Sequence, residues 1–173
     1  ELLRPVHPIL TNTLMNNLAF KALMLLVLIP VWLVLCLLFR PDFSSVTFTS
    51  VLLAVPAIAL GFGINFLLGA VITCVAFWTT RVFALNEFYY ALLVLFGGQF
   101  VPLDLLPAGI QQVAQYLPFQ LWLYFPIQLL LGKLPADVVI RNFALSIGWF
   151  IVVLLLFQWV WRNGVKRFSA VGA

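Results

Sequence analysis

A chain of 173 residues that is 65% hydrophobic and only 8% charged is excluded from the ordinary soluble class. Soluble domains carry about 25% charged residues, and a core of this size could not hide the excess apolar surface. Nine basic against five acidic residues leave a net charge of +4, too sparse and dispersed for a nucleic-acid surface, so positive charge reads as membrane topology.

Glu1 to Lys21 is the one sizeable polar section. Within it Leu10, Leu14 and Leu18 recur every fourth residue, which draws one apolar stripe on a helix and turns Asn12, Thr13, Asn16 and Asn17 elsewhere. The pattern predicts an amphipathic surface helix, with Pro5 and Pro8 stiffening its entry. Ala22 to Phe39 is free of charge between Lys21 and Arg40 and forms a first span, in which Pro30 predicts a kink. RPDFSS follows as a short turn.

Phe43 to Thr80 carries no charge, and residues 51–80 are apolar enough for a long, tilted span. Ala57, Gly61, Asn65, Gly69 and Thr73 recur along it at intervals of four. Small residues let helix backbones approach in lipid, so this stripe is either a packing seam or the lining of a transport path. Asn65 has the strongest polar demand on it and should face protein.

Arg81 to Glu87 reads as a polar break, followed by a span at about 88–101. The run FGGQFVPLDLLPAG then stops any simple helix. Gly97 and Gly98 supply a turn, Pro102 and Pro107 forbid regular resumption, and Asp104 needs hydration, yet the surroundings stay apolar. Residues 97–138 are therefore expected to be an external re-entrant or interfacial region. Inside it, Ile110 to Leu117 sets Gln111, Gln112 and Gln115 against an apolar face, and Trp122 with Tyr124 favours the headgroup level. The clearest span is the twenty-residue run between Arg141 and Arg162, at 142–161. At about 1.5 Å per residue it reaches roughly 30 Å, the thickness of a hydrocarbon core.

These elements predict an all-α, polytopic integral membrane protein with four transmembrane helices, a cytoplasmic amphipathic helix over 1–21 and external re-entrant helices. It forms a single membrane domain over 1–173. Four spans put both ends on one side. Arg4, Lys21, Arg81, Arg162, Lys166 and Arg167 then share that side against Arg40, Lys133 and Arg141, and the basic excess places it inside the cell.

No catalytic or metal-ligating set can be assembled. His7 has no carboxylate or cysteine nearby, and neither GxxxxGK[ST] nor HExxH occurs. Cys36 and Cys74 sit in apolar runs, where a small hydrophobe is the default role rather than a disulfide. The spans hold no Asp, Glu, Lys or Arg, which argues against a proton-coupled carrier or a selective channel. The amino end lacks a signal peptide and begins with Glu, so residues upstream are expected.

The order of features resembles the permease subunits of ABC-2 type exporters. The resemblance covers the whole chain. It is carried by ELLRPVHP at the start, NFLLGAVITCVAFW over Asn65 to Trp78, FGGQFVPLDLLP over Phe96 to Pro107, LPF at Leu117 to Phe119, YFP at Tyr124 to Pro126, and the closing RFSAVGA. Such permeases usually have six spans, which implies two more before Glu1. The resemblance also implies a multi-pass protein of a prokaryotic inner or plasma membrane, paired with a second permease subunit, identical or related. Separate cytoplasmic ATPase subunits would bind ATP and Mg, with no cofactor in this chain and no nucleic-acid partner. Arg4, Pro5, Leu10, Leu14 and Leu18 fall where such a permease docks its ATPase. Gly97, Gly98, Pro102, Asp104 and Pro107 would form an external re-entrant lid, and the stripe through Gly61, Asn65, Gly69 and Thr73 would face the partner permease or the path. Phe-rich, uncharged spans favour a hydrophobic or amphipathic cargo. The competing readings are a structural subunit of a larger membrane complex and a secondary transporter or channel.

Overall fold

The computed structural model describes the backbone of residues 8–40, 44–79 and 81–171, and the side chains of 22–40, 44–79 and 81–166. Among these residues there are helices and turns and no strand. The chain divides into two units, Glu1–Phe43 and Ser44–Ala173.

The first unit is built on one helix, α1 (Pro8–Phe39). The expected surface helix and the expected span at 22–39 are thus one continuous rod, because no glycine or proline separates Thr11 from Ile29. Pro30 lies inside α1 without ending it. Arg40, at φ 43°, closes the helix in a left-handed cap, with its N–H bonded to the Cys36 carbonyl at 3.0 Å. Arg4 and Pro5, and the side chains of Leu10, Leu14 and Leu18, lie outside the described residues.

The second unit begins with α2 (Phe48–Cys74), prolonged by a 3-10 turn at Val75–Phe77. It starts three residues before the expected 51 because Thr47 and Ser50 form a capping box, each side chain bonding the other's backbone N–H. Next come α3 (Val82–Phe96), the short helices α4 (Ala108–Ala114) and α5 (Tyr124–Leu130), and the long α6 (Ala136–Val171). Cys36 and Cys74 are both free thiols.

Helices α2 and α6 run parallel. A Cβ on Gly63 would lie 2.8 Å from the Phe150 ring, and one on Gly164 would lie 2.3 Å from that of Phe77. Both contacts join residues the same distance apart in sequence, which only parallel helices in fixed register allow. The chain must therefore travel back from the Phe77 end to the Thr47 end before α6 begins. Helix α3 covers part of that return, about 22 Å at 1.5 Å per residue, against about 45 Å for Phe48–Phe77.

A hairpin made of α4 and α5 completes the return by an indirect route. Its tip, Tyr116 to Leu121, lies against the middle of both long helices. The Trp149 indole N–H donates to the Tyr116 carbonyl at 2.8 Å, and the Leu121 carbonyl oxygen sits where a Cβ on Gly61 would be, 2.3 Å away. From that tip α5 climbs back along α2. Ser50 Oγ donates to the Leu130 carbonyl at 3.1 Å and Ser45 Oγ to that of Leu131 at 2.8 Å. Gly132, at φ 63°, passes so close to the Ser45 carbonyl that a Cβ would be 2.5 Å from it. Measured along α2, the tip lies about 20 Å beyond Phe48. Ala57, Ile64, Leu121, Phe125 and Leu129 lock α2 to the hairpin, and Phe143 of α6 closes edge-on against Phe125 with ring centroids 5.4 Å apart.

Among the described residues, three helical stretches are long and apolar enough to cross a membrane: Ala22–Phe39, Phe48–Phe77 and Ala136–Lys166. The fourth span expected at 88–101 is corrected to α3, a 15-residue helix. Its start moves back to Val82 because nothing in Val82 to Glu87 breaks a helix, so the expected polar break is only an exposed first turn and a half. Its end moves to Phe96 because Gly98 turns the chain at φ 77°.

Candidate functional site

The small-residue stripe on α2 does not face one neighbour. Every fourth residue advances about 40° beyond a full turn, so Ala57 and Thr73 are about 160° apart around the axis. Ala57 and Gly61 are buried against the hairpin. Asn65 turns to α3, where the Tyr89 hydroxyl donates to Asn65 Oδ1. Gly69 has nothing within 4 Å of a Cβ position, and Thr73 is exposed and returns its hydroxyl to the Gly69 carbonyl at 2.9 Å. One half of the stripe is thus an internal seam, and the other half is open.

The glycine pair turns the chain as expected for a break. Gly97 accepts no Cβ, which would lie 2.3 Å from the Leu93 carbonyl oxygen, and Gly98 combines positive φ with the Tyr124 side chain 3.1 Å from its Cβ position. Pro102 opens a 3-10 turn at Leu103–Leu105, and Pro107 caps α4. Asp104 stands in that turn and gathers the segment around it. Its Oδ1 accepts from the Tyr124 hydroxyl at 2.5 Å, its Oδ2 from Gln128 Nε2 at 3.4 Å, and its main-chain carbonyl from Gln111 Nε2 at 2.8 Å.

Behind these bonds lies a polar cleft of about 320 Å³ between the hairpin and the first turns of α6. Asp104, Gln111, Gln115, Gln120 and Tyr124 line it from the hairpin, Arg141 and Asn142 from α6. Gln120, only 2% exposed, donates its amide to the Gln115 carbonyl at 2.6 Å, and Arg141 reaches Gln115 Oε1 at 3.4 Å. Asn142 is 4% exposed, and its Oδ1 is buried with no hydrogen-bond partner. Burial, and then the Asp104 carboxylate, push the Tyr124 phenol above its usual value of 10, so it stays protonated and remains a donor. A carboxylate, a guanidinium and several amides thus face one half-open cleft.

Of these residues, sequence reasoning had assigned only Asp104 to a site. A usable signal was present: glutamines at 111, 115, 120 and 128 inside apolar segments, and Asn142 just within a charge-free run, are polar groups that must turn toward protein when the outside is lipid. The expected wet face of α4 supplies the clearest case. Gln111 and Gln115 look into the cleft, while Ile110 and Val113 are 42% and 57% exposed, the reverse of a helix on a soluble protein.

At the other end of the unit, Phe77 packs edge-on against Trp161 of α6 at 6.1 Å. Arg81, Arg162 and Lys166 lie toward this end, and Lys133 and Arg141 toward the hairpin end, as the parallel register of α2 and α6 requires.

A sequence profile described as ABC-2 family transporter protein matches residues 1–172. Comparison with curated proteins and with solved structures gives no match. The profile spans both units, and three of the helical stretches it covers are apolar and of membrane-crossing length. The chain therefore belongs to the ABC-2 transporter family, as a transmembrane permease of an ABC transporter.

Proposed function

We propose that this permease moves a hydrophobic or amphipathic substrate outward across a prokaryotic cell membrane, in a dimer of permease subunits powered by separate ATPase subunits that bind ATP and Mg. ABC-2 permeases in general work with ABC ATPase partners. The segment from Gly97 through Pro102 and Asp104 to Pro107 is the external re-entrant lid in this reading, continued by the α4–α5 hairpin, and the termini of the chain are cytoplasmic. What carries the reading is the seat of the hairpin tip. Taking the charge-free run of α6 as the hydrocarbon thickness, Trp149 lies about 12 Å below Arg141, so the Tyr116 carbonyl it binds is deep in the bilayer. Irregular backbone survives at such depth only when protein covers it, and here α2 and α6 do so. Together with α3, the hairpin makes up the fourth crossing that the parallel α2 and α6 demand.

The amino-terminal half of α1, with Arg4 and Pro5 before it, is the proposed ATPase-docking segment. Changing Leu10 and Leu14 to Asp puts unpaired charge into that apolar contact and should weaken association by several kcal/mol. Co-purification with the ATPase should be lost while membrane insertion persists. An unchanged complex with full transport-coupled hydrolysis would remove the docking assignment.

A further inference from the structure

The polar cleft does not end at Arg141. A shallow, open apolar groove of about 420 Å³ starts from the same residue and runs down one face of α6 past Ala144, Leu145, Gly148 and Trp149 to Val152. Gly148 forms an open notch in it, with nothing within 4 Å of a Cβ position. From Arg141 to Val152 the groove is about 16 Å long, close to half of a hydrocarbon core of about 30 Å, which is one leaflet. A half-open cleft with polar groups at the head of a leaflet-long apolar groove has the dimensions of a single lipid.

We propose that cleft and groove together hold a bilayer phospholipid whose head carries both a phosphate and a primary ammonium. Its chain lies along α6, its phosphate meets Arg141, and its ammonium enters the cleft toward Asp104. The charges are complementary to such a zwitterion. A purely anionic head would bring negative charge to the Asp104 carboxylate, and a quaternary amine would have no N–H to give. Gln120 spends an N–H on the Gln115 carbonyl and keeps its own side-chain oxygen, which with the Asp104 carboxylate offers acceptors to an ammonium. The proposal requires only that α6 cross the bilayer with Arg141 at headgroup level, and it is independent of the direction of transport.

The test uses the full-length permease purified from membranes. It is exchanged into detergent containing phosphatidylethanolamine, phosphatidylcholine or phosphatidylglycerol of identical chains, and retained lipid is counted by native mass spectrometry. The ethanolamine lipid should be retained about tenfold more tightly than the other two, the scale of one charge-assisted hydrogen bond. Asp104→Asn should erase that preference while leaving a lipid bound, and Arg141→Gln should weaken all three about tenfold. Gly148→Phe fills the notch and should abolish retention; Val152→Trp blocks the groove lower down and should do the same if the first variant misfolds. Equal retention of the three lipids by the unaltered protein would overturn the proposal, as would retention untouched by both groove-filling variants, or a second permease copy cross-linked over Gly148 in place of lipid. Lipid retention is read without transport, so these outcomes leave the exporter reading standing or falling by its own test.

Discussion

The α2–α6 pair and the α4–α5 hairpin occupy the same layer of the molecule and are held by different forces. The long helices satisfy their own backbone and meet through glycine against ring, Gly63 on Phe150 and Gly164 on Phe77. Lipid tails are as apolar as these side chains, so their association rests on close packing alone. The hairpin has too few helical turns to satisfy its own backbone, and its carbonyls are served from outside by Ser45, Ser50 and Trp149 and from within by the Gln120 side chain. At depth in a membrane, a helix needs a partner of the right shape, whereas a loop needs a partner with the right donors.

That contrast can be broken most severely at Gly61, where both forces meet. Gly61→Leu drives a side chain into the Leu121 main chain, which cannot rotate away. The cost should be about 3 kcal/mol or more, with the hairpin displaced and export lost. The control lies two steps along the same stripe: Gly69→Ala enters open space and should be neutral or stabilising by up to about 1 kcal/mol from helix propensity. Thermal unfolding of the two variants in one detergent checks the pair. Equal destabilisation would show that the stripe is uniform after all.

Replacing Gly97 and Gly98 by Leu comes next. The left-handed conformation at Gly98 alone costs a non-glycine residue about 1–2 kcal/mol, to which the contact with Tyr124 adds. Export should slow or stop while ATP binding by the partner persists, and unimpaired export by this variant would deny the hairpin its proposed role. Ser50→Ala removes one bond to the Leu130 carbonyl and half of the capping box, and should cost about 1 kcal/mol, read as a lower unfolding midpoint.

The smallest effect concerns pH. The phenol of Tyr124 ionises later in the folded protein than the usual value of 10, so its contribution is complete below pH 10 and is lost as pH rises above it. Between about pH 10 and 11 the unaltered protein should lose stability relative to Tyr124→Phe, by a fraction of a kcal/mol because solvent screens this partly exposed group. Parallel unfolding curves for the two proteins across that range would contradict the half-buried, Asp104-bonded phenol.

Much of this architecture was legible in the residues. Charge-free length located the stretches at 22–39, 51–80 and 142–161 because hydropathy over twenty residues is a strong signal, and the two glycines and two prolines marked where α3 must stop. What hydropathy cannot carry is direction and depth. Arg81 to Glu87 looked like a break because it is polar, yet polarity does not end a helix when no glycine or proline accompanies it. The even spacing of Ala57, Gly61, Asn65, Gly69 and Thr73 suggested a single face, while the helical pitch spreads it over three environments. The cleft was least visible, since its amides lie on three separate elements and only the fold brings Gln120 against Asn142. Arg4, Pro5, Leu10, Leu14 and Leu18 stay a matter of sequence alone.

The central claim is that the chain between Pro107 and Leu131 enters and leaves on the Ser45 side and reaches mid-depth only at its tip. Single nitroxide labels at successive positions from Ala108 to Leu130 of the permease in lipid bilayers, read for collision with oxygen and with a polar nickel complex, measure that depth directly. Apparent depth should increase along α4, peak between Tyr116 and Phe119, and fall again to interfacial values by Leu130. A steady trend from one end to the other, or interfacial values throughout, would contradict it.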